Sequence, residues 1–274
     1  MDNPGLSSAT PVDMNSIMRK SQTRVWKALK GEPEFILSVA ETQDILNEFA
    51  SSKMNFVILN VDLVGSTKLS MTLPLDKLTM MIQSFNQEMS LIIKDFGGFV
   101  LKYVGDAVLA FFVASGLQSQ AKTACNSAIY CARCMLKVAH GGINPILNEY
   151  DCPGMNVRIG LDIGENAIIQ SGWDIHSPMD YEDESSNKND DDEYEGRLLI
   201  KKPVYDVLGY TTSLAVKMTA FANPNHMVIG QQIYDALDGS QKSEFQLIDI
   251  NPEIWSYVSK YTEGNIYNVY TNNK

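Results

Sequence analysis

Three breaks between Asn55 and Val113 decide what this chain can fold into. The run Asn55–Asp62 is apolar and β-rich and ends in an acid. Such a run reads as a buried central strand. Gly65-Ser66-Thr67 stops it and opens a helix. Leu75, Leu78, Met81, Ile82, Phe85, Met89, Ile92 and Ile93 then recur at three- and four-residue spacings, up to Gly97-Gly98. That spacing predicts an amphipathic helix with a glycine stop. Two further β-rich runs, Phe99–Val104 and Ala107–Val113, flank Gly105-Asp106, a tight hairpin signal.

Beyond this β-α-β-β block, residues near 118 to 140 predict a helix. Met155–Asp162 and Ala167–Gln170 read as a hairpin turning near Gly164-Glu165. A helix over Thr211–Ala222 follows, then a strand at His226–Gly230, a short helix at Gln231–Leu237, and strands near Phe245–Ile250 and Asn265–Tyr270. The order βαββαβ predicts an α+β, ferredoxin-like core with extra C-terminal elements. Residues 1–52 read as an N-terminal tail with two helices, Asn15–Leu29 and Ile36–Phe49, joined by Gly31-Glu32-Pro33. Residues 53–274 form the principal domain.

Charge is unevenly placed. The formal net charge is −11, yet Asp180–Glu195 alone holds nine acids and one lysine, leaving the remainder near neutral. With no basic face, nucleic acid is not an expected partner. Residues 173–202 are too polar to offset the entropy of ordering and read as an acidic, flexible insertion. No apolar run reaches the length of a membrane span and the N-terminus has no signal-peptide pattern, so a cytoplasmic protein is expected. Cys131 and Cys134 form a CxxC, but no second pair completes a zinc site. They read as small core residues.

Asp62 ends the first strand and Asp106 sits in the next hairpin turn. In a β-α-β-β core these carboxylates converge at one sheet edge. Two like charges there call for a hard divalent cation between them. Gly65, Ser66 and Thr67 follow Asp62 at a helix start, where backbone N–H groups favour a polyphosphate. Ser66 or Thr67 is also expected to cap that helix.

Three segments resemble the class III adenylyl and guanylyl cyclases. Asp62-Leu63-Val64-Gly65-Ser66-Thr67-Lys68-Leu69-Ser70 resembles their first metal motif. Lys102-Tyr103-Val104-Gly105-Asp106-Ala107 resembles the second, and Pro203–Gly209 the base-recognition segment. The resemblance implies that Asp62 and Asp106, with the Leu63 carbonyl, hold two Mg²⁺ or Mn²⁺ ions. It implies that Lys102 and Asp206 read the base, and that a homodimer carries two composite sites at its interface. ATP is the expected substrate and 3′,5′-cyclic AMP the product. Lysine only donates and ionised aspartate only accepts, which suits adenine; cytosine also shows an acceptor beside an amine, so CTP stays open.

The pattern departs from the family at the transition-state positions. Counting from Asp206 lands on Ser213 and Lys217, where the family places Asn and Arg. Lysine offers a point charge without arginine's fork. A slow cyclase, or a nucleotide-binding pseudocyclase, is therefore the alternative. A diguanylate-cyclase-like enzyme is disfavoured because no GGDEF-type hairpin is present.

Overall fold

A computed structural model of the chain describes residues 13–31, 40–114, 118–176, 200–259 and 261–272. The helices are α1 (Met14–Leu29), α2 (Ala40–Glu48), α3 (Ser66–Thr72), α4 (Leu75–Asp95), α5 (Gln118–Val138), α6 (Asn144–Glu149), α7 (Tyr210–Thr219), α8 (Gln231–Ala236) and α9 (Gly239–Lys242). The strands are β1 (Lys53–Leu63), β2 (Phe99–Val104), β3 (Ala107–Val113), β4 (Val157–His176), β5 (Ile200–Leu208), β6 (His226–Gly230), β7 (Phe245–Leu247) and β8 (Val269–Asn272).

Among the described residues these strands form one sheet in the order β2-β3-β1-β4-β6-β8-β7, with β5 paired to β4. The segment β2-β3-β1-β4, antiparallel throughout, is the expected ferredoxin-like βαββαβ core. β6 adds to β4 in parallel, and β8 and β7 extend the sheet.

Side-chain alternation along β1 and β4 sets the two faces. Val57, Leu59, Val61, Ile159 and Leu161 face α4 and α5 in the main core, with Phe85, Met89, Ile92 and Met135. Cys125, Cys131 and Cys134 are buried there; desolvation pushes the Cys134 thiol up to about 11. Phe56 and Ile58 face the opposite side, in a second cluster with Leu46, Leu101, Phe111, Ile168, Val207 and Ala215.

Several expectations are corrected. The hairpin at Gly164-Glu165 does not form, because β4 runs unbroken from Val157 to His176. Its glycines serve α7 instead of a turn. A Cβ on Gly160 would lie 2.3 Å from the Ala215 carbonyl oxygen, and one on Gly164 2.4 Å from the Tyr210 hydroxyl. The helix packs directly on the strand because those side chains are missing. The hairpin that does form is β4–β5, so Trp173–His176 and Ile200–Lys202, assigned to the acidic insertion, are paired strand residues. The acidic block at 180–195 lies outside the described residues, as do residues 32–39, which include Glu32-Pro33 and the start of the expected second helix.

The helix after β1 is broken at Leu73-Pro74, with Pro74 at the N-cap of α4. Proline can start a helix but cannot continue one. The C-terminal strands are shorter than expected, at Phe245–Leu247 and Val269–Asn272.

The first helix is tied closely to the core. Val25 and Leu29 of α1 are buried in the main cluster. Arg24 donates from Nε and Nη2 to both carboxyl oxygens of Glu88 on α4, at 2.6 and 2.5 Å.

Candidate functional site

Asp62 and Asp106 meet. Asp62 stands at the end of β1, and β1 pairs with β3, which begins one residue after Asp106. The two carboxyls are near enough that the Asp106 charge helps to raise the Asp62 pKa, after burial. Gly105 supplies the turn, with φ +62° and open space where a Cβ would stand. Asp106 Oδ2 is buried and has no hydrogen-bond partner.

The residue across the ladder from Asp62 is Arg158 of β4. Its guanidinium donates from Nε to Asp62 Oδ2 at 2.8 Å, and Nη2 lies 2.8 Å from the same oxygen. Burial raises the Asp62 pKa and the Asp106 charge adds to the rise, while the Arg158 bond opposes it. Arg158 thus neutralises one acid of the pair and leaves the other orphaned. Sequence reading missed it, although a lone arginine interrupting the apolar strand Val157–Ile163 is a usable signal.

Two carboxylates suit a Mg²⁺-type site, because such ions take one or two protein carboxylates and draw their other ligands from phosphates and water. Among the described residues no group of three or more His, Cys, Asp and Glu side chains converges. The orphaned Asp106 oxygen fits an incoming cation. Leu63 is buried beside Asp62 on the same strand. Gly65 is left-handed, at φ 75°, and is itself the N-cap of α3 without a side-chain capping bond. The expected cap by Ser66 or Thr67 is therefore corrected. Both lie inside the first turn of α3, with Thr67 exposed.

A second constellation lies on the β2 and β4–β5 arms. Lys102 Nζ donates to Asp206 Oδ2 at 2.5 Å, with both side chains partly exposed. Asp206 Oδ1 accepts from the backbone N–H of Val207 at 2.8 Å, which fixes its rotamer. The neighbours Leu101 and Val207 point inward to the second cluster, so the charged pair is held outward.

Ser213 and Lys217 lie one turn apart on the exposed side of α7, while Leu214, Ala215 and Met218 are buried. Lys217 Nζ donates to the Tyr257 hydroxyl at 2.7 Å and lies 5.0 Å from that ring's centroid. Tyr257 is held in turn by Trp255, edge-on with ring centroids 4.8 Å apart. No local signal marks Tyr257, which is forty residues from its partner. On the same side of α7 a cavity of about 410 Å³ is lined by Tyr210, Leu214, Tyr257 and Tyr267; it contains none of the predicted site residues.

The fold is that of the class III adenylyl and guanylyl cyclase catalytic domains. The adenylyl cyclase CyaB of P. aeruginosa superposes with a TM-score of 0.54 at 18% identity, over 81% of this chain and 95% of that one. The guanylyl cyclase Cya2 gives 0.56 at 16% identity, over 81% and 93%. The guanylate cyclase domain of RhGC from Catenaria anguillulae, in complex with GTP, gives 0.54 at 15% identity, over 81% and 98%.

In sequence, the chain is similar to two Escherichia coli proteins described as cytidylate cyclase. One is 31% identical over 119 residues, 42% of this chain and 26% of the relative. The other is 25% identical over 185 residues, 66% and 35%. The matches span about a quarter to a third of the length of these relatives. No family model matches the chain. Among the described residues no helix is long and apolar enough to cross a membrane.

Proposed function

We propose that the chain is a nucleotidyl cyclase that converts a nucleoside triphosphate whose base sets an unprotonated ring nitrogen beside an amine on its pairing edge, CTP first and ATP second, to its 3′,5′-cyclic monophosphate and pyrophosphate. The observation that carries this reading is the meeting of Asp62 and Asp106 with one carboxylate oxygen buried and unpaired. An orphaned buried carboxylate is costly unless a cation completes it.

Asp62 and Asp106 would hold two Mg²⁺ or Mn²⁺ ions, aided by the Leu63 carbonyl. Bound there, such ions lower the pKa of the ribose 3′-hydroxyl and neutralise phosphate charge. The 3′-oxygen would attack the α-phosphorus as its proton passes to solvent water; the bond from the α-phosphorus to the α–β bridging oxygen breaks, and that oxygen leaves with pyrophosphate. Gly65, Ser66 and Thr67 would line the triphosphate path. Ser213 and Lys217 would supply a hydroxyl and an ammonium to the charge that develops on the phosphoryl oxygens.

Lys102 and Asp206 would read the base. The ammonium keeps N–H groups free for a ring-nitrogen acceptor, and the carboxylate keeps lone pairs for an exocyclic amine. On their Watson–Crick edges adenine and cytosine both set an unprotonated ring nitrogen beside the amine; guanine carries a proton on that ring nitrogen and uracil has no amine. The two cytidylate cyclase relatives favour CTP. The amine edge of adenine supports ATP as the second substrate. Ser213 and Lys217 face outward from α7 and the base pair sits on an exposed hairpin, so a second copy of the chain would bring its metal acids to them. Leu208, Trp173 and Val216 are exposed apolar residues near those elements and suit a homodimer interface.

The test is incubation with Mn²⁺ and each of the four triphosphates, with products identified by mass spectrometry. The reading expects cyclic CMP or cyclic AMP from the wild type and none from Asp62→Ala or Asp106→Ala. Triphosphate binding without any product would establish the pseudocyclase instead.

A further inference from the structure

We infer that α2 is a staple that sets the spacing of the Lys102–Asp206 pair, with Gln43 and Thr42 as positioning residues for base recognition. This rests on the base-reading assignment made above.

Among the described residues β5 pairs with β4 alone. An edge strand leaves backbone N–H and C=O groups that need partners. At Tyr205, next to Asp206, the partner is a side chain. Gln43 Oε1 accepts from the Tyr205 N–H at 2.8 Å, and Gln43 Nε2 donates to the Tyr205 carbonyl at 3.1 Å. One amide side chain thus does for Tyr205 what a further strand would do.

The neighbouring residue on α2 reaches the other strand. Thr42, buried at 2% exposure, donates from its hydroxyl to the Val100 carbonyl at 2.7 Å. Val100 lies two residues before Lys102, where the β2–β3 register shifts. A bulge is a place where a strand's aim is set by its surroundings. One turn on, Leu46 is fully buried in the cluster that holds Leu101 and Val207, the inward neighbours of Lys102 and Asp206.

Three anchors on a nine-residue helix, Thr42, Gln43 and Leu46, therefore grip the two strands beside the two base-reading side chains, while Glu41 ties the same helix to Lys94 of α4. Lys102 and Asp206 come from strands that are not paired with each other; their 2.5 Å contact is bridged from behind by α2. A loosened α2 lets the ammonium and carboxylate drift apart. The hydrogen-bond pattern offered to the base then blurs, although neither side chain has changed. Discrimination between bases should suffer more than turnover on the best one, since the metal acids do not touch α2.

The experiment compares wild type, Gln43→Met and Thr42→Val in the full chain. It reads kcat/KM for CTP, ATP, GTP and UTP with Mn²⁺, together with thermal melting. The expected result is a fall of about tenfold in the kcat/KM ratio of CTP or ATP to GTP or UTP in Gln43→Met, with a smaller fall in Thr42→Val and little change in kcat on the preferred substrate. The same Gln43→Met change in an Asp206→Ala background should have no further effect on that ratio. Should Gln43→Met not fold, Gln43→Asn, one methylene shorter and still polar, takes its place. Uniform loss on all four substrates, or an unchanged ratio in a folded variant, overturns the staple while leaving the cyclase reading intact. A wild type that makes no cyclic product from any triphosphate overturns both.

Discussion

The two charged corners of this molecule are built on opposite principles. At the end of β1, Asp62 and Asp106 are brought together, Arg158 bonds to Asp62, and one Asp106 oxygen is buried without a partner among the described residues. On the arms, Lys102 and Asp206 neutralise each other and Asp206 is further held by the Val207 N–H. The first corner leaves a buried carboxylate oxygen unpaired, which suits the cation proposed for it. The second is paired within itself, which suits the proposed role of presenting a fixed hydrogen-bond pattern to a base. On the proposed function, chemistry belongs to the unsatisfied corner and selection to the satisfied one.

The largest effect should come from the incomplete corner. Asp106→Asn removes one anionic ligand and the like-charge repulsion at once. Cyclic product should fall by at least ~100-fold, the scale seen when one electrostatic stabiliser is lost. Melting without metal should stay the same or rise, because an orphaned charge has gone. A variant that lost activity through unfolding would break the contrast between the corners.

The next effect tests the satisfied corner. Lys102→Glu sets a second carboxylate against Asp206 and leaves no donor for a ring nitrogen. Use of CTP and ATP should drop by about 10- to 100-fold in kcat/KM, since a mismatched hydrogen-bonding site discriminates strongly. Mn²⁺ dependence should remain. Loss of metal dependence with the base preference intact would reverse the assignment of the two corners.

A third buried acid sharpens the comparison. Asp162 on β4 is fully buried, accepts from the Tyr267 hydroxyl at 2.7 Å through Oδ1, and leaves Oδ2 unpaired. Burial lifts its pKa from 3.8 to about 7, against the Tyr267 and Ile163 hydrogen bonds. The folded state therefore holds a proton that the unfolded state has released. Stability falls as pH rises from about 4 to about 7, by at most about 1.4 kcal/mol per pH unit. Asp162→Asn should flatten that slope in denaturant titrations at several pH values, and Mn²⁺ should not substitute for it. An unchanged slope in the variant would mean that Asp162 is ionised in the fold.

What the sequence made readable is whatever depends on local period. β2, β3 and β6 begin and end where alternation and glycine place them, and Asp62 and Asp106 converge because a βαββ order leaves them adjacent strands. The failures share another cause. Gly164 looks like a turn glycine but is there to admit Tyr210, a close approach between distant elements that no window contains. Arg158 is paired to Asp62 only through the β1–β4 register. Tyr257 reaches Lys217 across the fold, from a loop without periodicity.

That last contact gives the smallest expected effect. Lys217 stands where the family has an arginine, and a lysine ammonium at the end of a flexible stem loses more freedom when it is aimed. The Tyr257 hydroxyl restricts it by accepting a hydrogen bond from the ammonium. Tyr257→Phe keeps the ring and removes only the hydrogen bond. A hydrogen bond to a partly exposed charge contributes about 1 kcal/mol, which is roughly a fivefold fall in kcat/KM. Melting should hardly move, because the Trp255 contact with the ring survives. If Tyr257 acts through Lys217, the same change made in Lys217→Met protein should cost nothing more. A full fivefold loss in that background would show that the tyrosine works by another route and that α7 presents a free lysine to the phosphate.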